Sequence, residues 1–348
     1  MIKNLLILLL TLSLAWSCKP DEYQLSYSPT PYSLDIPDNF PPFPEDTANP
    51  LTVEGVLLGR KLFYEKKLSG DNSMSCASCH NQNLAFTDPL KFSVGIDGVE
   101  GKRNAMPLFN LAYADRFFWD GRATSLAAQA LDPVRDPVEM HETWTNAVRE
   151  LEEDPEYPSL FLKAFGSPGI DSMRAVKAIA QFERILISGN SKFDKFLRFE
   201  VQLDSSELRG FNLFKDDFGG DCWHCHPPFN LQFTDFQFRN NGLDTVFQDS
   251  GLAAVTGDPF DLGKFKVPSL RNVEFTAPYM HDGRFETLEE VIEHYNMGGH
   301  DSPTIDVFMK HVGTGLNLKN YEKQALVNFL KTLSDPEFLE NPAFSDPN

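Results

Sequence analysis

The 348-residue chain carries 50 Asp and Glu against 31 Lys and Arg, a formal net charge of −19. Such an acidic chain excludes nucleic acid as its partner, because phosphate binding needs clustered cations. The 30 Phe supply apolar ring area for a dry interior, and the length suits two ordinary domains behind a short leader.

Residues 1–17 read as a secretory signal. Lys3 gives the positive charge and Leu5 to Leu14 the apolar core, which is too short to span a bilayer. Leu14-Ala15-Trp16-Ser17-Cys18 follows and resembles a lipoprotein box, in which the Cys becomes the lipidated first residue. The alternative is cleavage near Ser17 with an unmodified Cys18. Either way the protein is expected to be exported, with the periplasm as its compartment. A lipid anchor at Cys18 would be its one membrane attachment. From 18 to 50 the Pro, Ser, Tyr and Asp content predicts an extended tether. The acidic charge suits steering of a basic partner such as a small soluble cytochrome, or serves solubility alone.

Cys76-Ala77-Ser78-Cys79-His80 recurs as Cys222-Trp223-His224-Cys225-His226. Each has the spacing of covalent c-type haem attachment, with two thioethers to the porphyrin and one imidazole to the iron. A zinc site would want Cys or Cys/His pairs closing on one metal, and a thioredoxin-like motif would not need the His. The chain has 5 Cys. Four lie in the motifs and the fifth is Cys18, so no pair is left for a disulfide.

The motifs sit in a repeated order. Gly59-Arg60-Lys61-Leu62-Phe63 precedes the first and Gly210-Phe211-Asn212-Leu213-Phe214 the second, each in an amphipathic helix. Asp204-Ser205-Ser206-Glu207 is a capping signal for the second of these helices. Arg103-Asn104 and Trp119-Asp120-Gly121-Arg122 follow the first motif; Arg271-Asn272 and His281-Asp282-Gly283-Arg284 follow the second. Two cytochrome c-like haem domains related by internal duplication are therefore expected, 51–200 and 201–340. Met173 to Leu197 predicts a helix with Gly189 near a break. Gln232 to Arg239 alternates as a short hairpin arm, and Glu286 to Asn296 predicts a helix ending at Gly298-Gly299. The expected fold class is mostly α with few short strands.

A haem for electron transfer usually takes two protein ligands, whereas peroxide chemistry needs one free position. No His stands between His80 and His141. Met106, Met140 and His141 are the alternatives, so the first iron is expected to be five-coordinate and open. The second unit offers Met280, His281, His294, Tyr295, Met297, His300 and His311.

With these residues in place, the chain resembles the bacterial di-haem cytochrome c peroxidase and MauG superfamily from about residue 51 to 335. The resemblance is carried by the two motifs, Arg103-Asn104, the stretch Phe118 to Arg122, Gln129, and the stretches Pro137 to His141, Val267 to Asn272 and Ala277 to Gly283. It implies that Cys76, Cys79 and His80 carry the peroxidatic haem, and Cys222, Cys225 and His226 the electron-transfer haem. It implies that Trp119 relays electrons between them; a core aromatic is the other reading. Glu139 and Gln129 would line the peroxide pocket near Pro133. Glu139 would move a proton between the peroxide oxygens and Gln129 would orient them. The carbonyls of Asn104, Lys266 and Pro268 would hold a calcium ion between the haems. The resemblance also admits a homodimer.

Two positions depart from typical cytochrome c peroxidases. A removable His ligand belongs sixteen residues after the first motif's His, and Ile96 stands there. It cannot ligate, so the site is expected open without activation. The second haem's Met is replaced by Tyr295, as in MauG, with Met297 as its rival and packing on the haem edge as its other reading. The expected function is a periplasmic di-haem peroxidase that reduces hydrogen peroxide to water. Its electrons would come from a small cytochrome c or similar donor, through the C-terminal haem to the N-terminal one. One alternative is a MauG-like enzyme that oxidises residues of a partner protein through a high-valent iron state. Another is a di-haem carrier in which His141 closes the first iron.

Overall fold

The computed structural model describes residues 27–347. The expected signal sequence, Cys18 and the first part of the expected tether lie outside the described residues. The first unit is built from α1 (Val53–Phe63), α2 (Cys76–Cys79), α3 (Leu126–Arg135), α4 (Trp144–Glu153), α5 (Tyr157–Phe165) and α6 (Ser172–Arg184). The second holds α7 (Lys192–Leu197), α8 (Ser205–Lys215), α9 (Ala253–Thr256), α10 (Leu288–Asn296) and α11 (Asn320–Lys331), and α12 (Pro336–Leu339) follows. Two-residue strands β1 (Phe238–Arg239) and β2 (Phe265–Lys266) pair antiparallel, with Phe238 opposite Lys266. The mostly helical class stands. Only the last two residues of the expected hairpin arm pair, because Phe233 and Phe236 take φ of +51° and +59° and turn the chain.

The capping signals act as read. Asp204 accepts from the Ser206 and Glu207 amides, and Glu207 reaches back to the Asp204 amide. Thr287 and Glu290 do the same for α10.

α1 crosses α6, and α8 crosses α11. Glycine permits each crossing. A Cβ on Gly59 would lie 1.8 Å from the Ala178 carbonyl oxygen, and one on Gly210 1.9 Å from that of Ala325. Gly210→Ala must push two helices apart, and is expected to destabilise the protein by about 1–3 kcal/mol. Urea unfolding of the variant measures it; an unchanged midpoint would contradict this packing.

The other shared landmark is corrected. Asn272 is matched not by Asn104 but by Asn110. Both take φ of +54° and open a one-turn 3-10 helix. They stand nine residues before Trp119 and His281 respectively. Each Asp-Gly-Arg turn is closed by a lone antiparallel bridge, Phe117 with Ala123 and Tyr279 with Phe285.

The stretch from Met173 to Leu197 breaks at Gly189 as read, giving two helices, and Asp335 Oδ2 takes the amides of Gly189 (3.0 Å) and Asn190 (2.9 Å) in the connection. Gly189 has no room for a side chain there: a Cβ would lie 2.5 Å from Pro37 Cγ. Phe193 of α7 packs with Phe214, Phe233 and Phe329 of the second unit, while Phe338, Leu339 and Phe344 join Phe63, Phe86 and Phe109 in the first unit's core. Residues 27–50 are no free tether. Phe40 is buried beneath the Arg271 guanidinium, 4.8 Å from the ring centre, and Phe43 packs its ring on Tyr113. Composition read the prolines of this segment; its buried Phe40 and half-buried Phe43 decide its fate.

Candidate functional site

Each motif ends in the same local geometry. The His80 amide donates to Cys76 O (3.0 Å) and the His226 amide to Cys222 O (2.9 Å). His80 Nδ1 lies 2.7 Å from Phe86 O, and His226 Nδ1 2.9 Å from Phe233 O. A carbonyl only accepts, so each Nδ1 carries the proton and each Nε2 presents its lone pair. Burial holds both imidazoles below their ordinary pKa and keeps them neutral. Burial also pushes the thiols up, to about 12 for Cys76, Cys222 and Cys225 and about 11 for Cys79. All four are unbridged. Paired thiols, an oriented imidazole and a cavity beside each motif fit a covalently held haem in each unit.

The first cavity, about 1230 Å³, is walled by Phe63, Leu108, Leu126, Val134, Met140 and Ile179. Gln129 and Pro133 of α3 and Glu139 just beyond it line the same space, as expected. Burial pushes Glu139 up to about 7; Asp136 adds to this and Arg122 opposes it. Half-protonated near neutrality, it can both take and give a proton. The loop carrying Ile96 is closed on itself by the Val94–Glu100 bridge, and the Ile96 amide donates to Glu139 O at 3.0 Å. A Cβ on Gly95 would lie 2.1 Å from Val138 O, so this loop is seated on the Glu139 segment.

His141 stands away from the first cavity. Its ring is bonded to Asp97, its side chain is 54% exposed, and it is not part of the cavity wall. Met106 and Met140 do line the cavity, but Met140 is packed in the core with Leu58, Leu68 and Val134.

Trp119 is buried and lines both cavities, as the relay reading requires. Its indole donates to Asn104 O at 2.8 Å, and its carbonyl accepts from the Lys266 amide at 2.9 Å. Asn104, Lys266 and Pro268 all line the second cavity. Asn104 O keeps one lone pair free for a cation after the indole bond. The Lys266 ammonium binds Arg116 O at 2.6 Å; burial lowers its pKa to about 8. Arg103 is tied to Asp120 (2.6 Å) and, through two bonds of 2.7 and 2.8 Å, to Asp249, which fixes the Trp119 turn to the second unit.

Of the seven side chains offered for the second iron, Met280, His281, Tyr295 and His311 line its cavity. His294 Nε2 is engaged by Asn241 O (3.0 Å), His300 is exposed, and Met297 is 61% exposed and off the wall. Tyr295, in the last turn of α10, accepts from Asn241 Nδ2 at 3.1 Å; the same amide lies 3.5 Å from Met280 Sδ. Burial pushes the Tyr295 phenol up to about 12. Sequence reading missed Asn241, which looks like turn material in Asn240-Asn241-Gly242, and Glu183, which looks like an ordinary helix carboxylate.

The sequence profile of the di-haem cytochrome c peroxidase family matches residues 53–202. The methylamine utilization protein MauG of Methylorubrum extorquens is 39% identical over 83% of this chain and 81% of its own. The cytochrome c551 peroxidase of Nitrosomonas europaea is 35% identical over 86% of each. A solved MauG-like protein associated with microbial copper homeostasis superposes with a TM-score of 0.84, at 36% identity over 91% of this chain and 99% of that one. The diheme peroxidase BthA of Burkholderia thailandensis shares the fold, with a TM-score of 0.72 at 24% identity over 90% and 92%. Two matched attachment motifs facing two cavities thus meet relatives of both names, and the chain belongs to the di-haem cytochrome c peroxidase and MauG family of haem peroxidase oxidoreductases.

Proposed function

We propose that the chain reduces hydrogen peroxide at the first haem and draws the electrons, through the second, from side chains of a partner protein. The Tyr295 hydroxyl in the second cavity carries this reading. A buried phenol resists ionising alone, so its oxygen takes negative charge only with a cation beside it. Such a ligand favours the higher iron charge, whereas Met would favour electron uptake from a soluble donor. The bound haems supply the iron-centred redox chemistry. The chain's own groups do the rest. Glu139 takes the proton from one peroxide oxygen and returns it to the other, Gln129 orients the peroxide, and Trp119 connects the cavities. The carbonyls of Asn104, Lys266 and Pro268 would hold a calcium ion.

The second reading is a peroxidase fed by a small basic cytochrome. It is supported by relatives named cytochrome c peroxidase and by the net charge of −19. In both readings the protein is exported, with Cys18 as its lipid anchor, and the units arose by duplication. The matched pairs Gly59/Gly210 and Asn110/Asn272 support that origin.

Electron paramagnetic resonance of the ferric protein beside Tyr295→Met tests the assignment. One high-spin and one low-spin signal are expected, with the low-spin signal altered and oxidation of reduced cytochrome c accelerated in the variant. An unchanged low-spin signal removes Tyr295 as ligand. Two low-spin signals would mean that both irons are closed at rest.

A further inference from the structure

Glu183 occupies the last turn of α6, 4% exposed, in the wall of the first cavity. Its Oε2 is enclosed and meets no hydrogen-bond donor. The polar side chains beside it are engaged elsewhere. Gln181 holds the Thr52 amide (3.0 Å) and Asn49 Oδ1 (2.9 Å), and Arg184 donates to Asn49 O (2.7 Å). The helices α1 and α3, both packed on α6, bring no charge to bear on it; burial alone pushes its carboxyl up to about 8. From α2 the Cys76 thiol feels its charge, and that thiol also feels Glu139.

A buried, unpartnered carboxyl is costly to keep and is uncommon in folded proteins. The cost is smallest while it stays protonated. Oxidising a haem adds a positive charge, and across a poorly solvated wall that charge favours loss of a nearby proton. We propose that Glu183 is the residue that releases and rebinds a proton in step with the redox state of the first haem. On oxidation one electron leaves the iron for the oxidant and the Glu183 O–H bond breaks, its proton passing to solvent. On reduction both return. This role rests on the haem site and not on the identity of the electron donor. It also differs from that of Glu139, whose proton goes to peroxide.

The test is a spectroelectrochemical titration of the di-haem protein from about pH 6 to about pH 9, around the folded pKa. The potential of the first haem is expected to fall with rising pH at close to one proton per electron. The slope should vanish in Glu183→Gln and persist in Glu139→Gln. A flat wild-type potential overturns the proposal, as does a slope that survives in Glu183→Gln. Redox-difference infrared of the wild-type chain gives a second measure that does not depend on a variant folding. Loss of a protonated-carboxyl band on oxidation is expected, and its absence overturns the proposal. Failure of the donor assignment would appear instead in the Tyr295→Met spectra and leave this slope untouched.

Discussion

Glu139→Gln is expected to slow peroxide cleavage by about 10²- to 10⁴-fold, the usual contribution of a positioned acid–base group. Both haems should stay attached, since the Glu139 side chain makes no hydrogen bond to the Cys or His of either motif. Stopped-flow mixing of the ferric protein with peroxide gives the rate, and the unaltered haem absorbance controls for loading. The pH dependence has a definite sign. Glu139 must start as a carboxylate to take the first proton, and its pKa is raised to about 7. The wild-type rate should therefore climb as pH rises through about 7 and level off above it. The variant should lose that limb. A rate indifferent to the substitution would return Glu139 to the status of a wall residue.

Arg271→Met should cost about 3–5 kcal/mol of stability, because it strands a buried charge. Arg271 and Asp194 are each 0% exposed and share two bonds of 2.8 Å. Burial pushes the Asp194 carboxyl up, but the guanidinium and the Ser191 bonds outweigh it and hold it below the ordinary value. A depressed carboxyl contributes stability that is present above its unfolded pKa and is lost as pH falls through the folded one. The double variant Arg271→Met/Asp194→Asn should lose much less, since no charge is stranded. Denaturant unfolding near neutral pH measures both; equal losses would show that packing, not the stranded carboxylate, sets the effect.

The attachment residues were legible because covalent chemistry fixes their order and spacing. Cys76, Cys79, His80, Cys222, Cys225 and His226 needed no tertiary knowledge. Caps such as Asp204 with Glu207 were equally plain, since their bonds run within one turn. Asn110 was missed for the opposite reason. What it shares with Asn272 is a left-handed backbone and not a neighbour, so the pairing through Arg103-Asn104 followed letters where geometry governs. Met297 and Tyr295 stand two residues apart at a helix end, and only the direction of that end separates them. Glu183 was invisible because a carboxylate in a helix is usually solvated, and what buries it comes from chain segments far away.

The return of Phe338, Leu339 and Phe344 to the first core bears on how the protein is assembled. A chain delivered from its N-terminus presents Cys76 and His80 early, yet cannot finish the walls around them until its closing stretch arrives. Arg60 then bonds the carbonyls of Pro342 and Ser345, and Gln82 that of Asn341, fastening that stretch beside the first motif. The closing residues act as a latch on the opening half. A shortened product stopping before residue 338 would therefore leave that half unsealed.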